Sequence, residues 1–385
     1  MRDLAQKPPK KSPIVKILVL AFALLFILVT ALYFFKLDKF AFKGPKTFVQ
    51  LVTNTGLKSD NNRINILLLG IGGDGHDGPD LTDTMILASI DKDAKDVVLV
   101  NIPRDLWVSD INSKINAAYA LGQEKNKNGL VQAKNTISNL FSIPVHYAFR
   151  IDFSGFTKAV DLVNGLEVTV DNSFTDPKYP ISGKEDDLCG LSLDTIDKNG
   201  LKVQVVKDAT GSAIPIADIT DKNDPFICRY ETLTFKKGLT AMDGLTALKF
   251  VRSRHGTNGE GSDFARSARQ QKVILAFRDK VLSTNTLTNP ATVIGLGKTF
   301  GKSIDTDITD EDVPLFMNLF TKIDTSKIRR LVLDAGQTDS KLEFGDPINY
   351  QGQAVVVPKN NDWKALSDFL KSEIYQNSTT NSQAK

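Results

Sequence analysis

Residues 64–71 read INILLLGI, and Asn65 is the only polar side chain among them. A strand with no polar face is stable in water only when both of its faces are covered. That requirement points to a sheet sandwiched between helices. The neighbouring patterns agree. TMILASI (84–90) and DVVLVNI (96–102) read as further buried strands, after a Gly- and Asp-rich loop, GGDGHDGPDLTD. Helical spacing follows at 115–122 and 129–141. Then come a strand at 146–152, a helix at 153–163 and an alternating strand, LEVTV, at 166–170. Strands and helices interleaved in this way predict an α/β fold, an α/β/α sandwich around a mixed central sheet.

Upstream, residues 17–35 read ILVLAFALLFILVTALYFF. As a helix this run is about 28 Å long, close to the roughly 30 Å of a bilayer's hydrocarbon. Tyr33, Phe34 and Phe35 stand where an aromatic belt would. No small-x-small cleavage site follows, so the run reads as a retained signal-anchor. The expected organisation is a cytoplasmic tail at 1–15, a transmembrane helix at 16–36, a stalk at 37–61, and the main domain at 62–284 outside a bacterial cell membrane. Basic residues flank the span on both sides. The dense positive charge of the short tail sets the orientation, because long domains cross largely regardless of charge.

Residues 171–230 are polar and read as a long excursion from the core. They hold the only two cysteines, Cys189 and Cys228. An even pair in an exported domain suggests a disulfide. GLTAMDGLTALKFVR (238–252) reads as helical across Asp243 and Gly244, ending near Phe250. A second helix begins at Ser262 or Asp263 and runs to about Leu282. A smaller α/β segment is expected at 285–375, packed on the main domain. It carries a helix near 311–322, strands at 328–333 and 354–357, and a helix at 362–375. A disordered tail follows at 376–385.

Charge patterning narrows the chemistry. With 48 basic against 45 acidic residues, the chain lacks the basic excess of a nucleic-acid binder. Yet Arg252, Arg254, Arg266 and Arg269 crowd into KFVRSRHGTNGEGSDFARSARQQ (249–271), and Arg104 follows a buried strand. Arg266, Arg269 and Gln270 share a helix face, and Arg252 and Arg254 would share a face in extended backbone. Guanidinium forks pair bidentately with phosphate oxygens. Asp74, Asp77, Asp80 and Asp83 also lie past a strand, and carboxylates beside phosphates commonly hold a divalent ion. No Walker A loop, G-x-S-x-G or C-x-x-C is present.

Taken in order, INILLLGI, LTDTMILASID, VVLVNIPRDLWV, KINAAYA, HYAFRIDFSGFTKAVDLVNGLEVTV, GLTAMDGLTALKFVRSR and GSDFARSARQQKVI resemble the LytR-CpsA-Psr family over roughly 64–282. The resemblance implies a membrane-anchored phosphotransferase. Such a protein moves a glycopolymer from a polyprenyl-pyrophosphate carrier to peptidoglycan through a phosphodiester. It implies Mg²⁺, or another divalent cation such as Mn²⁺, linked to Asp83. It also implies pyrophosphate binding by Arg104, Arg252, Arg254, Arg266 and Gln270. The chain departs from the family pattern in two places. Leu81 stands where the family usually has Arg. The family's aspartate soon after the first strand's glycine has Asp74 as its nearest replacement and Asp77 as the next. Catalytic roles are therefore expected of Asp83, Asp74 and Arg104, with Asp74 sharing the metal. Hydrolysis of the carrier pyrophosphate at the same site, or a scaffold without chemistry, are the alternative readings.

Overall fold

The computed structural model describes residues 56–282 and 301–376, apart from 77, 199–200, 209, 221–222, 302, 310 and 337–338. The expected tail, membrane span and most of the stalk therefore lie outside the described residues, as does 377–385. Among the described residues, no helix is long and apolar enough to cross a membrane. The chain divides into two compact units, one of Lys58–Asp307 with Ile323–Lys385, the other of Met1–Leu57 with Ile308–Lys322.

In the larger unit the chain runs through β1 (Arg63–Ile71), β2 (Thr82–Asp91), β3 (Val97–Asn101), a small hairpin of β4 (Trp107–Val108) and β5 (Ser113–Lys114), α1 (Ala117–Asn126), α2 (Gly129–Phe141), β6 (Tyr147–Asp152) and α3 (Phe153–Leu162). It continues with β7 (Leu166–Val170), β8 (Phe174–Pro180), β9 (Ser192–Lys198), β10 (Leu201–Lys207), β11 (Ala213–Pro215), β12 (Tyr230–Phe235), β13 (Gly238–Met242), α4 (Gly244–Arg252) and α5 (Asp263–Leu282). After β14 (Ile304–Thr306), the smaller unit contributes α6 (Val313–Lys322), in which Phe316 and Phe320 stack at 5.6 Å. β15 (Ile328–Val332), β16 (Leu342–Phe344), β17 (Val356–Pro358) and α7 (Trp363–Tyr375) complete the larger unit.

Six strands form the central sheet in the order β14-β6-β1-β2-β3-β15. β1 runs parallel to β6, and β3 parallel to β15; the other neighbours are antiparallel. The sheet is therefore mixed. Its alternating side chains divide between two covers. Leu67, Leu69, Met85, Leu87, Val98 and Val100 face a core closed by Ile137 and Phe141 of α2 and by Leu366, Leu370 and Ile374 of α7. On the other face Thr84 and Asn101 meet α5 through a polar seam. Gln270 donates to Thr84 Oγ1 at 3.0 Å, Asn101 to Ser267 Oγ at 2.7 Å, and Gln271 to Asn101 Oδ1 at 3.1 Å. Beside the sheet a second core gathers Val160, Val168, Phe174, Phe235, Phe250 and Val273.

β14 and β15 come from the last hundred residues, and they form the two edges of the same sheet as β1. The β14 edge is pinned by Tyr119, whose hydroxyl donates to Asp305 Oδ2 at 2.8 Å and accepts from Gln123 and Arg150. Burial first, and then the Asp305 carboxylate, push this phenol up to about 12, so it stays a neutral donor.

Two expectations need correction. Residues 238–252 are not one helix. Gly238–Met242 is a strand paired with Leu166–Val170, and α4 begins only after Asp243, whose side chain accepts from Thr246 N. An N-cap aspartate is the reason: its side chain satisfies an orphan amide, and the cap position needs non-helical backbone. Gly244 permits the start, because a Cβ there would lie 2.1 Å from the Thr157 carbonyl oxygen of α3. Residues 171–230 are also not wholly an excursion. β8 returns to the second core, and the excursion proper begins after Pro180, opposite Tyr230. It carries a three-stranded sheet, β11-β10-β9, and is closed by the Cys189–Cys228 disulfide. Replacing both cysteines with serine is expected to lower stability by roughly 2–4 kcal/mol, through loss of a link across a 39-residue separation. An identical denaturation midpoint for the wild type and the double variant would refute this.

Candidate active site

The strand directions bring the chemistry to one end of the sheet. β1 and β6 end there, β2 begins there, and β3 and β15 end there, because Ile71 pairs with Thr82 and Asp152, and Asn101 pairs with Ile86 and Val332. The carboxyl ends of strands are where open α/β sheets bind ligands. Asp83 is the second residue of β2, and Arg104 lies three residues past β3. Asn116 braces both. Its carbonyl accepts from Thr82 N at 3.0 Å, and its own amide donates to Arg104 O at 3.3 Å.

Asp83 is the focus. Its Oδ1 accepts from Arg104 Nη1 at 2.6 Å and lies 3.8 Å from Arg254 Nη2. Both contacts use the same oxygen, which leaves Oδ2 for another partner. Arg254 is crowded. Burial first, and then the guanidinium groups of Arg104 and Arg266, push it down to about 10, against the pull of Asp83 and Asp263. Its side chain remains 39% exposed, so solvent screens part of this repulsion. At physiological pH the group stays charged. Arg104 and Arg254 thus share one carboxylate, the positive charge of Arg266 bears on Arg254, and a phosphate dianion would relieve the repulsion. Arg266 also pairs with Asp263 at 2.6 Å, one turn away on α5.

The other expected residues lie differently. Arg252 closes α4 instead of standing in extended backbone beside Arg254. Its guanidinium lies over the Phe153 ring at 4.3 Å and donates to Tyr179 Oη at 3.3 Å. Arg252 and Arg254 therefore belong to different walls. His76 joins the Arg252 wall, edge-on to Phe153 at 5.4 Å. Within the excursion, hydrogen bonds from the backbone of Glu185 itself and of Gly183 lower the Glu185 carboxyl.

Gln270 is 9% exposed and engaged in the seam to Thr84 and Asn101. Arg269 is buried and donates to the carbonyls of Phe250, Ser253 and Glu260 and to the Glu260 carboxylate. It buttresses the site and does not open onto it.

Asp74 sits exposed in a turn after β1. Among the described residues, no hydrogen bond or ion pair joins it to Asp83 or to an arginine. Asp77 lies outside the described residues. The turn is fixed by Gly73, whose φ of +81° and close approach to Asp152 (a Cβ would stand 2.8 Å from Asp152 Cβ) exclude other residues. Leu81 folds back on Gly78.

Three residues at or beside the site escaped the sequence reading: Asp176, Tyr179 and Asp334. Asp176 and Tyr179 were hidden in a polar stretch. Asp334 follows β15, and burial first, then the charge of Asp263, raise its carboxyl. Its position just past the expected strand at 328–333 was the available signal.

Known proteins with this pattern give a consistent account. The chain is 25% identical over 257 residues to the polyisoprenyl-teichoic acid–peptidoglycan teichoic acid transferase TagU of Oceanobacillus iheyensis, covering 66% of this chain and 61% of that protein. It is 26% identical over 262 residues to TagU of Enterococcus faecalis, covering 66% and 65%. With TagV of Bacillus subtilis it shares 23% over 351 residues, covering 88% and 74%. The chain thus spans under two-thirds of the length of the two TagU relatives. In fold it resembles the crystal structure of B. subtilis TagV, with a TM-score of 0.51 and 20% identity over 82% of this chain and 98% of that one. It also resembles the Lin1025 protein of Listeria innocua, with a TM-score of 0.50 and 22% identity over 81% and 98%. The family pattern extends over residues 38–354, from ahead of the first strand to beyond the last edge strand of the sheet, and so the chain belongs to the LytR_cpsA_psr family.

Proposed function

We propose that the chain is a phosphotransferase that moves a glycopolymer from a polyprenyl-pyrophosphate carrier onto peptidoglycan. The observation that carries this is the meeting of Arg104 and Arg254 on Asp83 at the strand ends, with the charge of Arg266 bearing on Arg254. Relatives named as teichoic acid transferases support the substrate class. Arg104 and Arg254 would take the pyrophosphate oxygens, with Arg266 beside them and Arg252 on the adjoining wall. An acceptor hydroxyl oxygen bonds to the sugar-linked phosphorus. The bond from that phosphorus to the bridging oxygen breaks, and polyprenyl phosphate leaves. The proton goes to a carboxylate of the 74–83 loop, Asp83 or the exposed Asp74. The arginines stabilise charge as it moves onto the bridging oxygen, the usual source of rate in phosphoryl transfer.

A divalent ion fits this donor set. Mg²⁺ commonly takes one or two carboxylates plus phosphate oxygens, and Asp83 Oδ2 offers one. Such an ion would neutralise charge on the transferring oxygens. The unit that carries the site would sit outside the cell, held to the bilayer by the apolar run at 17–35.

The test supplies the full chain with carrier-linked glycopolymer, with and without peptidoglycan. Acceptor-dependent formation of the phosphodiester is the expected result. Release of polyprenyl phosphate at the same rate without acceptor would make the chain a hydrolase and overturn the proposal.

A further inference from the structure

Asp176 is a fully buried carboxylate on β8, and nothing in the chemistry above uses it. All of its partners are donors. Oδ2 accepts from Ser253 Oγ at 2.6 Å, Arg254 N at 3.0 Å and His255 N at 3.2 Å, and Oδ1 accepts from Lys178 N at 2.9 Å. Burial alone would raise this carboxyl. The hydrogen bonds from Ser253 and from the backbone of Lys178, His255 and Arg254 outweigh it and lower the group, so it is ionised at neutral pH.

The placement of these bonds matters more than their number. The amide N–H of Arg254 and the carbonyl of Ser253 are the two polar ends of one peptide unit. Asp176 holds the N–H, and Arg269 Nη2 holds the carbonyl at 2.7 Å. That peptide is clamped from both edges just where the chain leaves α4, with Ser253 extended at φ −52° and ψ 133°. Thr175 reinforces the lacing: Thr257 N donates to its carbonyl, and its own amide donates to Thr257 Oγ1, both at 3.0 Å. A fixed peptide fixes the direction in which the Arg254 side chain departs. Without the clamp, the exit from a helix end would sample several directions, and a mobile arginine loses entropy on binding an anion.

We propose that Asp176 is a positioning residue for Arg254, orienting the Ser253–Arg254 peptide so that the guanidinium meets a pyrophosphate alongside Arg104. The inference rests on the arginine cluster being a pyrophosphate site, as proposed above. A carboxylate is required because asparagine offers one acceptor oxygen where two are used. Its amide group would also leave a backbone N–H unpaired or opposed.

A double-mutant cycle on the detergent-solubilised full chain tests this, with farnesyl pyrophosphate as the probe and calorimetric affinity as the readout. Asp176→Asn is expected to weaken binding by roughly 10-fold or more, the usual size for a residue that orients a binding group. In the Arg254→Ala background the same change is expected to weaken it by less than about 2-fold, because the group it orients is gone. Equal losses in both backgrounds, or no loss in either, would overturn the proposal. Asp176→Glu, which keeps the charge and lengthens the arm, enters the same cycle and decides the matter if the asparagine variant shows no thermal transition. Wild-type protein that fails to bind the probe would instead remove the pyrophosphate reading itself, together with this inference.

Discussion

Arg254→Ala is expected to slow the proposed glycopolymer transfer by about 100- to 1000-fold, the usual loss when one preorganised donor to a developing oxyanion is removed. The chain should fold almost as well without it. Arg254 meets Asp83 only at 3.8 Å with a partly exposed side chain, an arrangement worth little to stability, and Asp83 keeps Arg104 at 2.6 Å. Removing Arg254 also relieves its repulsion with Arg104 and Arg266. Activity should therefore fall while the denaturation midpoint stays nearly constant. Arg254→Lys should recover only part of the loss, since an ammonium cannot donate two parallel bonds to one phosphate. Initial rates at saturating acceptor, together with chemical denaturation of the same samples, check both halves. A loss of transfer smaller than about tenfold, or about 1.4 kcal/mol, would show that the cluster is not where charge builds up.

Asp96→Ala is expected to destabilise the fold by about 3–5 kcal/mol, because it strands a buried cation. Asp96 sits at the far end of the sheet from the arginine cluster. It accepts from Arg63 Nη1 at 2.8 Å and from Arg329 Nε and Nη2, both at 2.9 Å. Arg63 is 1% exposed, with Ser89 as its other partner. The bond to Arg329 also fastens β15 to the sheet and, through the Glu373 carbonyl, to α7.

Burial alone would raise the Asp96 carboxyl; the hydrogen bonds and charges of Arg329 and Arg63 overcome that and lower it. The folded pKa thus lies below the unfolded value near 3.9. The contribution is complete above about pH 4 and is lost as pH falls through the folded value. Urea midpoints measured at pH 7 and across pH 5 to 3 test this. The wild type should lose stability in the acid limb, and Asp96→Asn should lose less there. Equal acid limbs in the two proteins would remove Asp96 as its source.

Much of this architecture can be read directly from residue order. INILLLGI is a buried strand because it has no polar face to give to water, and β1 covers it with one residue added. The helix at 129–141 and the strand at 166–170 match their spacing. Reading fails at 238–252. There, helical spacing of Leu239, Met242, Leu245 and Leu248 runs across a strand and a cap, because a short apolar pattern fits both periods and the Asp243 cap decides between them. The site shows the same division. Asp83 opens one strand and Arg104 follows another, and the fold joins them. Arg252 and Arg254 look like a pair in the sequence and are split, since one ends a helix against Phe153 and the other leaves it toward Asp83.

The sequence by itself determined the layered α/β class, the cysteine pair and the family to which the arginines belong, because these depend on local periodicity and on residue chemistry in order. Only the tertiary structure decided which arginines converge, which of them buttresses the site, and that Asp176 clamps the peptide before Arg254. Those facts depend on distances between residues as far apart as 83 and 254, or 176 and 254. Strand pairing and packing set such distances, and no local pattern along the chain encodes them.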